Sequence, residues 1–147
     1  MEDEGGAGMV DLGKFQIDER LKNMLEQDWG ISKLFPPQAR ALPNSLDGRN
    51  LMLAIPTASG KSLVAHITIA QRLSNDLKGM RGVYIVPLKA LASEKFSELS
   101  EICNSVGLKV GLAIGDRSNE NNFVEESDVL VCTSEKLDSM LRSNPSL

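Results

Sequence analysis

One histidine, two cysteines, one tryptophan and one tyrosine stand among 147 residues, and each scarcity removes a class of chemistry. His66 sits in a helix-like segment, which leaves no His-rich zinc cluster and no Ser-His-Asp triad to build and gives the ring a surface or helix-packing role. Cys103 and Cys132 lie far apart in apolar runs, so they read as buried, reduced thiols of an intracellular protein rather than as a disulfide or a metal pair. Positive charge is short as well, with 16 Lys and Arg against 20 Asp and Glu and a net charge of −4. That balance, with an isoelectric point near 5.0, argues against gripping nucleic acid by bulk electrostatics, while leaving contact through a few amides and hydroxyls open. No apolar run approaches the roughly 20 residues of a membrane span. The start Met1-Glu2-Asp3-Glu4 has no positive cluster followed by an apolar stretch, so no secretory signal is read. A cytoplasmic location (nuclear in a eukaryote) without a membrane partner is expected.

What is present is a chain with 41% hydrophobic residues, long enough for one domain with a real core and too short for two. Residues 1–16 are rich in Gly and acids, lack sustained periodicity and predict a mobile lead-in; the folded unit is expected over 17–147. Ile17, Leu21, Met24 and Leu25 recur at helical spacing with Asp18 and Glu19 in the first turn, and Trp29-Gly30 closes that helix. The pair Pro36-Pro37 predicts a short helix from Pro37 to Leu42, with Pro43-Asn44 and Asp47-Gly48 marking loops after it. Asn50 to Ile55 reads as a strand, and Lys61 to Leu77 as a helix with apolar positions at 63, 67, 70, 73 and 77. Gly82 to Val86 is a second strand, followed by a helix carrying Leu91, Phe96, Leu99 and Ile102. Lys109 to Ile114 and Asp128 to Cys132 are further strands, and Ser134 to Arg142 a final helix. Strands that are apolar throughout and alternate with helices predict an α/β fold, a parallel sheet covered on both faces.

Between the first strand and the helix after it lies AIPTASGKS, Ala54 to Ser62. Its end, Gly60-Lys61-Ser62, offers a glycine that lets backbone approach a phosphate, an ammonium for the β/γ-phosphates and a hydroxyl suited to Mg²⁺. Backbone N–H groups of Ala58 to Ser62 would open the helix, whose unpaired amides and positive dipole end favour an anion. The expected ligand is a nucleoside triphosphate. The general phosphate-loop pattern has glycine where Ile55 stands, and a capped tight turn would also account for Ala-Ser-Gly-Lys-Ser. No apolar run ends in an Asp-Glu pair that could hold Mg²⁺ and position water; the nearest, Asp128 to Thr133, ends in Thr-Ser.

Phe35-Pro36-Pro37-Gln38, AIPTASGKS, Val86-Pro87-Leu88-Lys89-Ala90-Leu91, Gly115-Asp116 and Thr133-Ser134-Glu135-Lys136, in that order, resemble the first RecA-like domain of superfamily 2 helicases. AIPTASGKS with VPLKALASEK is most similar to the Ski-two-like branch, and within it to the archaeal Holliday-junction-migration type of DNA repair helicase. The likeness spans about residues 17–147, and in such helicases the position of Ile55 is not held by glycine. It implies ATP and Mg²⁺ as cofactors, with Pro56, Thr57, Ala58, Ser59, Gly60, Lys61 and Ser62 as the phosphate loop. Lys61 would contact the phosphates and Ser62 the magnesium, these two carrying the catalytic assignment. Gln38 resembles the glutamine that recognises adenine, its carboxamide offering a donor and an acceptor, while Phe35 reads as a core anchor. Pro87, Leu88, Lys89, Gly115, Asp116, Thr133, Glu135 and Lys136 match strand-contact motifs that hold a nucleic-acid backbone without reading bases. The implied partner is single-stranded or branched DNA, with RNA left open, together with the rest of a helicase chain.

In one respect the pattern is departed from: the sequence stops at Leu147, just before the acidic DExH motif and the second RecA-like domain should follow. The implied function is therefore the ATP-binding, amino-terminal portion of an ATP-dependent DNA helicase, acting in repair or recombination and not competent alone. The alternatives are a nucleotide-binding module without turnover and a small phosphotransferase, which would need a basic lid and an acceptor-binding carboxylate.

Overall fold

The computed structural model describes residues 8–55, 58–115 and 125–143, with only the backbone described at Ala58 and Ser59. Its main sheet has three parallel strands, β3 (Gly82–Val86), β4 (Val110–Ala113) and β5 (Val129–Thr133), in the order β3-β5-β4. Val86 lies opposite Thr133, and Ala113 opposite Cys132. All five residues of the central β5 are buried, and their alternation divides the core. Val129 and Val131 face a large cluster with Leu63, Ile67, Leu99 and Ile102, which lie on α3 (Ala58–Ser74) and α4 (Lys89–Asn104). Leu130 and Cys132 face the other way, with Ala113, against Leu137 and Met140 of α5 (Ser134–Ser143). The continuously apolar β5 thus has both faces covered by helices, the arrangement its composition predicts.

α1 (Glu19–Gln27) and α2 (Pro36–Leu46) close the α3 side. Asp18 caps α1 by accepting from the Arg20 N–H at 2.8 Å, and its own N–H donates to the carboxamide oxygen of Gln71 on α3 at 2.7 Å. Leu21, Met24 and Leu25 are the buried stripe, and a Ser45–Thr68 hydroxyl pair at 2.6 Å joins α2 to α3.

Three expectations are corrected. The mobile lead-in does not hold for residues 8–16: β1 (Val10–Asp11) pairs antiparallel with β2 (Lys33–Leu34), and Leu12 beyond it is fully buried; residues 1–7 of that expectation lie outside the described residues. A single apolar anchor has no periodicity to betray it. The short second helix does not stop at Leu42 but includes Pro43 and continues to Leu46. Proline forfeits one helical hydrogen bond and kinks a helix without forbidding its continuation; here the Asp47 N–H still bonds to the Pro43 carbonyl at 3.0 Å. Asn50 to Ile55 is not a strand. A strand exists through its ladder, and among the described residues nothing pairs with this run. Among the described residues the outer edge of β3 is likewise unpaired, and Val83 and Ile85 of this strand are about half exposed.

Candidate nucleotide site and nucleic-acid interface

The amino terminus of α3 gathers the phosphate-loop residues. An α-helix of 17 residues begins there with unpaired backbone amides and the positive end of its dipole, a standing anion site. Gly60 is buried, Lys61 is exposed and Ser62 half-buried, so an ammonium and a hydroxyl flank the same helix start. Pro56, Thr57 and Asp116 lie outside the described residues.

Gln38, one turn into α2, is 4% exposed and both ends of its carboxamide have protein partners. The oxygen accepts the Phe35 N–H at 2.8 Å, closing the start of α2, and the nitrogen donates to the Gly60 carbonyl at 3.3 Å. Gln38 ties α2 to the phosphate loop, and its carboxamide keeps one further amide hydrogen and one lone pair. Phe35, expected in the core, is 58% exposed: as the residue before the proline pair it is held extended, with φ −66° and ψ 155°, and the turn into α2 leaves its ring at the surface.

That ring borders a cavity of about 460 Å³ that opens beside Gly60 and Ser62. Trp29, Ile31 and Phe35 form an apolar wall, Leu63 and His66 the α3 side, and Glu98 and Glu101 the α4 side. Trp29 donates its indole N–H to Glu101 at 2.6 Å. His66, 1% exposed, meets Glu98 through Nε2 at 3.1 Å and stacks obliquely on Tyr84, ring centroids 5.4 Å apart. Burial depresses the His66 pKa, with the Glu98 contact pulling the other way. Trp29, Glu98 and Glu101 carry no sequence signal as site residues: two glutamates three positions apart read as a solvated helix face until the packing of α4 on α3 turns them inward.

A second set of expected residues meets at the carboxyl edge of the sheet, where the ends of β3, β5 and β4 lie side by side. Pro87 and Leu88 are exposed and Lys89 begins α4. Gly115, just past β4, has φ +79°, and a Cβ there would stand 3.7 Å from the Lys89 ammonium. Thr133 ends β5 nearly buried and accepts the Lys136 N–H at 3.3 Å, capping α5; Glu135 is exposed and Lys136 half-buried. Two helix starts, with Lys89 beside Gly115, therefore share this edge, an arrangement suited to phosphates.

The sequence pattern that defines the DEAD/DEAH box helicases matches residues 35–147. The chain belongs to this family. Among curated DEAD/DEAH box helicase relatives it is 46% identical over 136 residues to the ATP-dependent DNA helicase Hel308 of Pyrococcus abyssi, covering 92% of this chain and 18% of that protein. It is 46% identical over 140 residues to Hel308 of Methanocella arvoryzae, again 92% of this chain and 18% of the relative. The chain thus spans about a fifth of the length of these relatives. Among solved structures, a DEAD box protein of Methanococcus jannaschii superposes with a TM-score of 0.80 at 18% identity, over 92% of this chain and 37% of that one. The RNA helicase Prp28 of Chaetomium thermophilum, bound to ADP, superposes with a TM-score of 0.75 at 19% identity, over 95% and 39%. The fold is the RecA-like α/β fold of helicase motor domains, and the sequence resemblance to superfamily 2 helicases is borne out. Among the described residues no helix is long and apolar enough to cross a membrane.

Proposed function

We propose that this chain is the ATP-binding, amino-terminal part of the first motor domain of an ATP-dependent DNA helicase. The observation that carries the reading is the junction of Gly60-Lys61-Ser62, at the start of a long helix, with an aromatic-walled cavity of about 460 Å³, the size range of small-molecule sites. The triphosphate would lie on the α3 amides with Lys61 beside it, and the base would extend along α3 toward His66. Ser62 suits magnesium: its hydroxyl, with oxygens of the triphosphate, gives the hard oxygen donors that ion takes. Ser62 would thus be a magnesium contact. When bound, the ion neutralises charge developing on the phosphates.

Lys89, Gly115, Thr133, Glu135 and Lys136, with Pro87 and Leu88, would hold a single DNA strand by its backbone at the neighbouring edge. The packing of α3 and α4, whose starts carry the two sets of residues, on one face of the sheet supports coupling of nucleotide state to strand position, the basis of stepwise translocation and unwinding in repair or recombination. The relatives named DNA helicases favour DNA over RNA. The test is stimulated ATP hydrolysis at the protein's native length, with and without single-stranded DNA. Turnover stimulated by DNA and lost in Lys61→Ala is expected. ATP binding without turnover at native length would leave a nucleotide-binding module instead.

A further inference from the structure

A buried ring lies between the two sets of site residues. His66 lines the cavity beside Gly60 and Ser62, four residues and about 6 Å along α3 from Ser62 at 1.5 Å per residue. Its Nε2 meets Glu98 Oε2 on α4 at 3.1 Å; a carboxylate only accepts, so Nε2 carries the hydrogen. Lys95 Nζ, one turn earlier on α4, reaches the same oxygen at 3.3 Å. The face of the ring meets Tyr84 of β3, centroids 5.4 Å apart. β3 ends at Val86 and α4 begins at Lys89, so His66 touches both the strand that enters the connection of Pro87 and Leu88 and the helix that leaves it. Around this link, Leu63 and Ile67 of α3 and Leu99 and Ile102 of α4 belong to one apolar cluster. Apolar contact is non-directional and lets one helix shift on the other, whereas a hydrogen bond weakens steeply with misalignment and fixes their register. As packing alone, a histidine is a poor choice here: Nδ1 is buried without a partner among the described residues, a cost that an apolar side chain would avoid.

We propose that His66, through Glu98 and Tyr84, is a positioning residue that couples occupancy of the nucleotide cavity to the placement of Lys89, and so to the hold on a DNA strand. This rests on the nucleotide and strand readings of the two sites. Glu98 also lines the cavity, and its side chain is 35% exposed. A nucleotide filling the cavity takes water from that carboxylate, which then depends more strongly on its two protein donors, since a charge-assisted hydrogen bond strengthens as the local dielectric falls. The link tightens, α4 is held in register on α3, and Lys89 at its head is fixed where a strand phosphate meets it. By linkage, a strand held at Lys89 favours the tight link and hence the nucleotide.

A merely structural ring would change stability or affinity without changing how one ligand affects the other. Fluorescence anisotropy of a labelled oligothymidylate gives the Kd for single-stranded DNA at native length, without nucleotide and with a saturating non-hydrolysable ATP analogue and Mg²⁺; the ratio of the two is the coupling factor. In the wild type the nucleotide is expected to tighten DNA about fivefold or more. His66→Asn and Glu98→Ala are each expected to lower that factor at least about threefold, whatever they do to either affinity alone. Glu94→Ala, which removes the same charge from an exposed position of α4, is expected to keep it. Melting temperatures identify the folded variants, and Glu98→Ala serves if His66→Asn does not fold, since Glu98 is partly exposed. A smaller wild-type factor with both ligands bound, a fall of less than about threefold in the folded variants, or as large a fall in Glu94→Ala overturns the coupling role and leaves the two sites standing. Failure of the wild type to bind the analogue or the DNA overturns the reading of that site, and the coupling with it.

Discussion

The carboxamide nitrogen of Gln38 lies 3.3 Å from the carbonyl oxygen of Gly60, and its oxygen 2.8 Å from the Phe35 N–H. A side chain bonded in this way positions the phosphate loop against α2. Replacing it leaves the Gly60 carbonyl and the Phe35 amide short of a partner and the loop untethered.

Gln38→Ala is therefore expected to weaken ATP and GTP alike. Loss of about 1–2 kcal/mol, two ordinary hydrogen bonds at a buried site, corresponds to roughly 5- to 30-fold in Kd. Calorimetric titration of both nucleotides checks this. Weakening confined to ATP would return base recognition to Gln38 itself.

Leu12 carries the amino-terminal segment. It is fully buried in the main core cluster, its N–H bonds to the Ser32 carbonyl at 2.9 Å, and β1 before it pairs with β2. Leu12→Ala is expected to destabilise the fold by about 2–5 kcal/mol, the range for truncating a buried leucine. Urea denaturation measures it, and a change below about 0.5 kcal/mol, typical of surface sites, would return this segment to a mobile lead-in.

His66 gives stability a pH dependence of definite sign. Burial, the dominant effect, lowers its pKa below the ordinary 6.5 against the pull of Glu98, so the folded protein keeps the ring neutral where the unfolded chain protonates. This contribution is fully present above about pH 6.5 and falls as pH drops below it toward the folded value. Between pH 7.5 and 5.5 the wild type should lose more stability than His66→Asn, compared by urea midpoint. Equal losses would mean that folding does not lower the pKa of the ring.

Cys103 and Cys132 are both buried and unpaired. Burial pushes the Cys103 thiol up to about 12, with the Asp128 charge adding to it, and raises Cys132 as well. Thiolate, the reactive form, is scarce at neutral pH. Native protein is expected to resist alkylation at pH 7.5 and to react at both cysteines once unfolded in urea. Mass spectrometry counts the adducts, and rapid native labelling at Cys103 would show that the strand and helix around it open readily.

The elements most legible in the sequence are those whose signal is local and repeated. The run Val129 to Thr133 is apolar at every position but the last because both of its faces are covered, and α3 shows its buried stripe at 63, 67, 70 and 73. What was not legible depends on partners remote in sequence. Asn50 to Ile55 has strand composition but no ladder among the described residues. Phe35 is apolar yet points outward because two prolines fix the turn after it. Glu98 and Glu101 become cavity walls only when α4 packs on α3. The phosphate loop was legible because its chemistry requires consecutive residues, while the wall opposite a base can be built from any helix that reaches it.

Lys61 and Lys89 separate the two sites. Lys61 is the fourth residue of α3, directly after the buried Gly60, whereas Lys89 heads α4 with its ammonium near Gly115. Lys61→Ala removes a charge-assisted contact to a triphosphate and is expected to weaken ATP about 10- to 100-fold, from roughly 1.5–3 kcal/mol, with Lys89→Ala within about twofold of wild type. For single-stranded DNA the order reverses. Lys89→Ala should weaken binding for every sequence and reduce the slope of log K against log salt by about 0.7, one phosphate contact fewer on a single strand. Fluorescence anisotropy across a salt series measures the slope. An unchanged slope would remove Lys89 from the strand path, and equal losses of ATP affinity in the two variants would remove Lys61 from its distinct place at the triphosphate.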